Sequence, residues 1–217
     1  MTAPLLYGYW RSSAAYRVRI ALNLKGLAYE QASVHLVRDG GEQHRPDYRA
    51  LNPQGLVPAL RTDDGLITQS LAIVEYLDEI VPTPPLLPAA ALGRARVRSL
   101  AQIVACDIHP LQNLRVLQYL TGELGVADEQ RLAWIRRWIE AGLGALEARL
   151  ANSPDTGTYC HGETPGLADL CLVPQLYNAV RFECDLDVWP TVARIYDACL
   201  ALDAFRAAVP EAQPDAA

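Results

Sequence analysis

Lysine is almost absent from this sequence, and cysteine is absent from its first 105 residues. Lys25 is the only lysine, so nearly every positive charge is carried by arginine. Arginine binds planar carboxylates better than lysine does, although GC-rich codon usage would produce the same bias. The five cysteines all lie from Cys106 onward and form no C-x-x-C pair. We therefore predict no disulfide framework, no zinc knuckle and no dithiol centre of the glutaredoxin kind, in a protein of the reducing cytoplasm.

Clusters of basic residues and long apolar runs are also missing. The formal charge is −6 and no group of arginines reverses it locally, which argues against nucleic acid as a partner. No apolar stretch approaches membrane-spanning length, and the first residues lack a signal-peptide pattern, so no membrane partner is expected. The chain has 217 residues, of which 51% are apolar, enough for one large or two modest domains.

The first part of the chain alternates strand and helix signals. A helix is expected to begin at Ser12 or Ser13 and to end before Gly26, a residue type common just after a helix. It lies between two predicted strands, and two more strands and a second helix follow. These predicted elements occupy residues 4–9, 28–37 and 52–80. Their order indicates a compact mixed α/β domain over residues 1–81.

A proline-rich segment divides the chain. Four prolines occur between Pro82 and Pro88, which stops a helix and gives a semi-rigid spacer. Beyond it the strand signals end, and apolar residues recur every three or four positions. We predict a linker at residues 82–89 and an all-helical second domain at residues 90–217, with a frayed tail from Pro210 onward.

A buried helix is predicted within the second domain. The segment from Leu167 to Leu176 is apolar nearly all round, which is typical of a helix covered on every side. Its start reads T-P-G-L-A-D, which places the Asp169 carboxylate where it can accept from the backbone N–H of Gly166.

Neighbouring signals between Asn52 and Leu77 predict a binding cleft. Pro58 cannot donate to a sheet ladder, so a bend at Val57-Pro58 would leave the Val57 backbone open to pair with an extended peptide. A D-D-G hairpin turn follows. Gln69-Ser70 then precedes a helical pattern, with the Ser70 hydroxyl as the expected cap, and a helix N-terminus binds anions. Together these signals indicate a site for a small peptide and its carboxylate; an ordinary βαβ fragment is the alternative.

A long helix with a polar face is predicted after the linker. Its core positions run from Val97 to Leu111, and a polar stripe lies beside them at Gln102, Cys106, His109 and Asn113. The proline that follows His109 removes a backbone donor, so a kink is expected there. This face could line a cleft, but the sequence alone slightly favours a solvated face or a satisfied, partly buried histidine. No further ligands lie near Cys106 and His109, so no metal site is predicted.

The segment Arg11-Ser12-Ser13 lies between the first strand and the first helix. A hydroxyl there can cap the helix, or it can donate to a thiolate held at the positive helix end. Arg11 adds positive charge at the same point. No Ser-His-Asp order or elbow motif indicates acyl transfer by either serine. The segment therefore indicates capping, stabilisation of a bound thiolate, or both.

Four motifs together resemble the zeta class of glutathione transferases, a class that includes maleylacetoacetate isomerase and, as close relatives, the bacterial maleylpyruvate isomerases. The resemblance extends over essentially the whole chain, and its most class-specific part is the D-I-H-P-x-x-N segment. The motifs are W-R-S-S-A-A-Y-R-V-R-I-A-L, N-P-Q-G-L-V-P-A-L, Q-S-L-A-I-V-E-Y-L and C-D-I-H-P-L-Q-N-L-R-V-L, which begin at Trp10, Asn52, Gln69 and Cys106.

The resemblance implies a thioredoxin-like α/β first domain, an all-helical second domain, a homodimer, and glutathione as the cofactor. Site roles follow from matching motif positions. Ser12 and Ser13 would face the thiol, and Arg11 and Arg181 would lie near the substrate carboxylates. The implied glutathione-binding residues are Gln43, Val57, Gln69, Ser70, His109 and Asn113.

The implied activity is glutathione-dependent cis–trans isomerisation of a maleyl diacid, maleylacetoacetate, to the fumaryl form. Addition of a thiolate makes the conjugated double bond single, and rotation followed by elimination gives the trans product. The alternatives are isomerisation of maleylpyruvate, conjugation of small electrophilic acids to glutathione, and a module that only binds a partner. Zeta members commonly read S-S-C where this chain has Ala14, so a cysteine at that position cannot assist catalysis here.

Overall fold

The chain folds into two compact units. The computed structural model describes residues 2–216. Unit 1 comprises the residues up to Leu86 together with the segment from Ala201 onward, and unit 2 comprises Leu87–Leu200. The boundary at Leu86 lies inside the predicted proline-rich linker. The C-terminal segment, which the sequence analysis placed in the helical domain, belongs to unit 1.

Unit 1 is built on a four-stranded mixed sheet with the order β2-β1-β3-β4. The strands are β1 (Leu5–Gly8), β2 (Glu30–Ser33), β3 (Ala59–Thr62) and β4 (Gly65–Thr68). β1 is parallel to β2 and antiparallel to β3, so that Leu6 lies opposite both Gln31 and Leu60. β3 and β4 form the predicted hairpin through Asp63 and Asp64.

The helices of unit 1 cover and close this sheet. They are α1 (Ser13–Leu24), α2 (Pro46–Leu51) and α3 (Ser70–Ile80). α1 packs against α3, and most of its residues are buried. It ends as predicted, because Gly26 adopts a left-handed φ of +64° just beyond the helix. The buried Nζ of Lys25 lies 2.6 Å from Asp78 Oδ1 and 2.5 Å from the Pro84 carbonyl oxygen, which ties the proline-rich segment to α1 and α3.

Unit 2 has only helical elements among residues 87–200. The α-helices are α4 (Ala91–Gln102), α5 (Leu114–Gly122), α6 (Asp128–Ala151), α7 (Leu167–Arg181) and α8 (Pro190–Leu200). α7 is the buried helix that the sequence predicts, and it packs against α4 and α8. Asp169 accepts from the backbone N–H groups of Gly166 (2.8 Å) and Cys160 (2.9 Å), which confirms the predicted bond at the helix start.

The single long helix predicted after the linker is wrong. α4 ends at Gln102, and a π-helical turn (Ile103–Ile108) and a 3-10 turn (His109–Gln112) separate it from α5. In the π turn, the His109 N–H donates to the Val104 carbonyl, five residues back. Because Pro110 has no N–H, the α-helical ladder cannot continue through this point.

The C-terminal segment is packed rather than frayed. It contains α9 (Asp203–Arg206), which packs on α1, and a 3-10 turn at Pro210–Ala212. Gln213 is buried, and its Nε2 donates to the carbonyl oxygens of Ala207 (3.0 Å) and Val209 (2.7 Å). Sequence composition gave no sign of this, because the partners of the segment lie far away in the chain. None of the helices within residues 2–216 combines the length and apolarity needed to cross a membrane.

Candidate active site

The turn that leads into α1 carries the first candidate residues. It is closed by a hydrogen bond from the Ser12 N–H to the Tyr9 carbonyl (2.9 Å). Ser12 is the N-cap of α1, and its Oγ accepts from the Ala15 N–H at 3.2 Å. Ser13 is the first helical residue and is buried. The capping role expected for one of the two serines therefore belongs to Ser12.

The start of α1 favours a bound anion. The first turn of the helix contains no acidic residue, so no side chain of that turn offsets the positive end of the helix. The Arg11 guanidinium lies 5.2 Å from the centre of the Trp10 ring, which holds a cation at the same turn. A hydroxyl that accepts a hydrogen bond, as Ser12 does, keeps its own O–H to donate. This arrangement is suited to stabilising a thiolate.

The bend before β3 presents backbone groups that are open for pairing. The Val57–Pro58 peptide bond is cis. Within residues 2–216, neither the N–H nor the C=O of Val57 forms a hydrogen bond. The Leu56 carbonyl, which shares a peptide group with the Val57 N–H, accepts from Tyr48 Oη (2.7 Å) and Asn52 Nδ2 (2.8 Å). These two donors fix the peptide plane, so the Val57 N–H has a set direction in which to meet an extended peptide.

Gln69 and Ser70 lie at the start of α3. Gln69 is the N-cap and has a φ of +70°, a left-handed conformation that is uncommon outside glycine and concentrates at ligand sites. Its Nε2 donates to Gln54 Oε1 at 2.9 Å. The sequence analysis predicted Ser70 as the N-cap, and this prediction is wrong because Gln69 occupies that position. The Ser70 Oγ instead accepts from Arg17 Nη1 at 3.3 Å, at a helix start that suits a carboxylate.

Gln43 lies in the 3-10 turn Glu42–His44 and is 5% exposed. Its Nε2 donates to the Leu36 carbonyl at 3.2 Å, whereas its buried Oε1 has no partner within residues 2–216. A Cβ at Gly41 would lie 2.5 Å from Gln43 Nε2, so the glycine provides the space that this side chain occupies. A buried acceptor left without a partner is costly, and the role of Gln43 at the glycyl end of a bound peptide stays a prediction.

The polar stripe predicted in unit 2 does not follow one α-helical face. Gln102 ends α4, Cys106 lies in the π turn, His109 begins the 3-10 turn, and Asn113 is the N-cap of α5. The helical period changes twice among these residues, so their spacing no longer places them in a row. The Asn113 Oδ1 accepts from the Arg115 N–H at 3.2 Å, which leaves its amide hydrogens to donate.

Arg181 is the last residue of α7 and is exposed. Its guanidinium lies 4.9 Å from the centre of the Phe182 ring. A cation at the C-terminal end of a helix also stabilises the helix dipole, so the residue has a structural explanation beside the predicted one. Its role with a substrate carboxylate stays a prediction.

Three supporting residues are missing from the sequence-based prediction. Tyr48 and Asn52 hold the peptide group before Val57, and Arg17, only 2% exposed, reaches Ser70. Burial raises the pKa of Tyr48 to about 12, so its hydroxyl is a donor at every physiological pH. The sequence offered one signal for Arg17, because it stands among the apolar residues of a predicted helix. An arginine buried there needs polar partners, since arginine is almost never fully buried without them.

The features of unit 1 fit glutathione. The open backbone N–H and C=O of Val57 suit pairing with the cysteinyl group, and the start of α3 suits the γ-glutamyl carboxylate. The start of α1 suits a thiolate.

Comparisons with known proteins place the chain among glutathione transferases. The profile of the glutathione S-transferase N-terminal domain matches residues 6–85. A probable maleylacetoacetate isomerase from Vibrio cholerae is 53% identical over 216 residues, which cover 100% of both chains.

Two solved structures share the architecture of the whole chain. One is the holo structure of a maleylpyruvate isomerase, a bacterial glutathione S-transferase of the zeta class, with a TM-score of 0.95, 52% identity, and coverage of 98% of this chain and 100% of that one. The other is a maleylacetoacetate isomerase from Methylobacterium extorquens with bound malonate and glutathione, with a TM-score of 0.94, 50% identity, and coverage of 98% and 99%. The fold predicted from the sequence is confirmed.

Proposed function

Because the chain belongs to the zeta class of glutathione transferases, to which the maleylacetoacetate and maleylpyruvate isomerases belong, we propose that it is a glutathione-dependent cis–trans isomerase of a maleyl diacid. The preferred substrate is maleylacetoacetate, which would be converted to its fumaryl form in the breakdown of aromatic compounds such as tyrosine. The observation that carries the proposal is the pair of unit 1 features that fit parts of glutathione, namely the open Val57 backbone and the start of α3.

The residues of unit 1 have distinct tasks in this proposal. Val57 pairs with the backbone of the tripeptide, Gln69 and Ser70 hold its γ-glutamyl carboxylate, and Gln43 meets its glycyl end. His109 and Asn113 are assigned to the tripeptide only by the family resemblance, and their roles stay predictions.

Catalysis depends on charge at the start of α1. Bound glutathione supplies the nucleophilic thiol for reversible addition to the conjugated double bond. Ser12 or Ser13 donates a hydrogen bond to the sulfur, and the helix end favours its ionised form. Arg11 holds a carboxylate of the diacid, with Arg181 proposed for the other, because guanidinium groups bind carboxylates with two parallel bonds. A net charge of −6 makes such local cations necessary for binding a dianion.

Maleylpyruvate is the competing substrate. A zeta-class maleylpyruvate isomerase is as similar to this chain as the maleylacetoacetate isomerases are, so similarity does not separate the two acids. Because Ala14 replaces the cysteine common in the class, the protein supplies no thiol at this position. We retain conjugation of electrophilic acids as the second alternative.

The experiment is a substrate panel followed by proton NMR. Maleylacetoacetate, maleylpyruvate and a neutral electrophile are each incubated with the purified protein, with and without glutathione. We expect conversion of a maleyl acid to its fumaryl isomer only when glutathione is present, with maleylacetoacetate turned over fastest. Equal rates with and without glutathione for both acids would refute the proposal.

We further propose a homodimer located in the cytoplasm. The class resemblance supports the dimer, and the five free cysteines support a reducing compartment. Light scattering coupled to size-exclusion chromatography would give about twice the chain mass of 23.8 kDa for a dimer. A monomeric mass at working concentration would refute it.

A further inference from the structure

The C-terminal segment is attached to α1 and β2 of unit 1 by side-chain hydrogen bonds. Asn23 Nδ2 donates to the Ala204 carbonyl at 2.9 Å, and Arg19 Nε donates to the Ala208 carbonyl at 3.1 Å. Gln31 Nε2, on β2, donates to Gln213 Oε1 at 3.2 Å. These bonds follow the segment along unit 1 and bring its end to the loop that precedes α1.

The end of this segment contacts the loop directly. Asp215 Oδ2 accepts from the backbone N–H of Trp10 at 3.1 Å and from Ser33 Oγ at 2.9 Å. Arg19 Nη2 donates to the Trp10 carbonyl at 2.9 Å. Both backbone polar groups of Trp10 are therefore held by charged side chains, one from the tail and one from α1.

Trp10 is coupled to the residues that the mechanism uses. It lies in the turn closed by the Ser12 N–H and the Tyr9 carbonyl, and its ring carries the Arg11 guanidinium at 5.2 Å. A rotation of the backbone at Trp10 would therefore move the Arg11 guanidinium and the Ser12 hydroxyl together. Trp10 therefore adjoins both groups through the backbone and through its ring.

The Arg19 guanidinium, which holds the Trp10 carbonyl, stays charged at neutral pH. Arg19 is 1% exposed, and burial lowers its pKa to about 10, while Tyr29, Tyr16 and Asp215 act in the opposite direction. A buried guanidinium needs hydrogen-bond acceptors for its donors, and the carbonyls of Trp10 and Ala208 supply them. The side chain therefore bridges the loop and the tail from inside the unit.

We propose that Asp215 is a positioning residue, which together with Arg19 sets the orientation of the Trp10–Ser12 turn for catalysis. The catalytic part of this inference depends on the proposed function. The geometric part does not, because it concerns only contacts within unit 1.

Hydrogen exchange followed by mass spectrometry tests the geometric part. In Asp215→Ala the Trp10 N–H loses its acceptor, so exchange in residues 9–13 should accelerate about tenfold. Exchange around residues 204–208 should stay unchanged, because Asn23 and Arg19 still hold that stretch. Asp215→Asn should restore protection, because its carboxamide oxygen can accept from both donors. The matched control is Asp203→Ala, a carboxylate in the same segment whose side chain is 95% exposed and pairs only with nearby Arg206 among residues 2–216.

Kinetics on the same variants test the catalytic part. For Asp215→Ala we expect kcat/KM for the maleyl acid to fall about tenfold, since small misplacements of reacting groups have large effects on rate. Binding of glutathione and the thermal midpoint should match those of Asp203→Ala.

Unchanged exchange in the turn, or a loss of exchange protection spread evenly over unit 1, would overturn the positioning role. If wild-type protein lacks isomerase activity but the turn loosens as stated, the proposed function fails and the geometric assignment stands.

Discussion

Ser12 combines a structural role with its proposed catalytic role. Its Oγ caps α1 by accepting from the Ala15 N–H. Ser12→Ala should therefore lower the free energy of unfolding by about 1 kcal/mol and also lower isomerase activity. Chemical denaturation measured beside the glutathione-dependent rate gives both quantities.

A second variant separates the two roles. Aspartate caps helices as well as serine does, so Ser12→Asp should keep the stability of wild type. Its carboxylate would repel a thiolate, and we expect activity to fall by about tenfold or more. A Ser12→Asp variant that is both stable and fully active would show that Ser12 does not face the sulfur, and would leave that role to Ser13.

Arg181 is assigned to substrate recognition by resemblance, and its effect should depend on substrate charge. Arg181→Ala should raise KM for a maleyl diacid by about tenfold, because a hydrogen bond to a charged group contributes about 1.5–3 kcal/mol. A neutral electrophile should be affected little. Arg181→Lys keeps the charge and should recover part of the loss. Equal changes for the charged and the neutral substrate would count against a carboxylate contact.

Helix α2 and its C-cap Asn52 together orient the Leu56–Val57 peptide group. Tyr48→Phe removes one of the two donors to the Leu56 carbonyl while keeping the buried ring. We expect glutathione affinity, measured by calorimetry, to fall about fivefold, the equivalent of one hydrogen bond of about 1 kcal/mol. The control is Tyr76→Phe, which removes an exposed hydrogen bond to Asp64 and should leave affinity unchanged. Equal losses in both variants would contradict a specific role for Tyr48.

Elements whose signals are local in sequence were predicted well. The β3–β4 hairpin, the helix stop at Gly26 and the bond from Asp169 to the Gly166 N–H all depend on residues within a few positions of each other. The same holds for the bend at Val57-Pro58. Such features follow from backbone chemistry at single positions, so the sequence contains most of the information.

Features that depend on competing local preferences, or on contacts between residues far apart in the sequence, were predicted less well. The helix before His109 reads as continuous by apolar spacing, but Pro110 shifts the backbone into π and 3-10 turns and removes the expected stripe. Asp215 contacts Trp10 across 205 positions of sequence, so nothing near either residue indicates their contact. Tyr48 and Asn52 were missed because their task is to orient a neighbouring peptide group rather than to contact ligand.

Over the whole molecule, the thiols are predicted to react very unequally. Cys106 is exposed, whereas the other four cysteines are buried. Burial raises the pKa of the thiols of Cys160, Cys184 and Cys199, which keeps them protonated and unreactive at pH values where an exposed thiol ionises. A thiol reagent at pH 8 should label one of the five cysteines in the native protein, and all five after unfolding. Rapid native labelling of several cysteines would contradict this arrangement.

The absence of cysteine from unit 1 makes the cofactor the only proposed source of the reacting thiol. All five cysteines lie within unit 2, between Cys106 and Cys199. Activity should therefore depend on the sulfur of glutathione and not merely on occupation of its site. This dependence distinguishes nucleophilic catalysis by the cofactor from a structural effect of binding.

The most direct test replaces glutathione by its analogue with a methyl group in place of the thiol, γ-glutamyl-2-aminobutyryl-glycine. The rate of maleylacetoacetate isomerisation is measured with each peptide and with mixtures of the two. We predict full activity with glutathione, none above background with the analogue, and competitive inhibition by the analogue in mixtures, because the backbone and carboxylate contacts are retained. Isomerisation at the same rate with the analogue would contradict catalysis by the glutathione thiol.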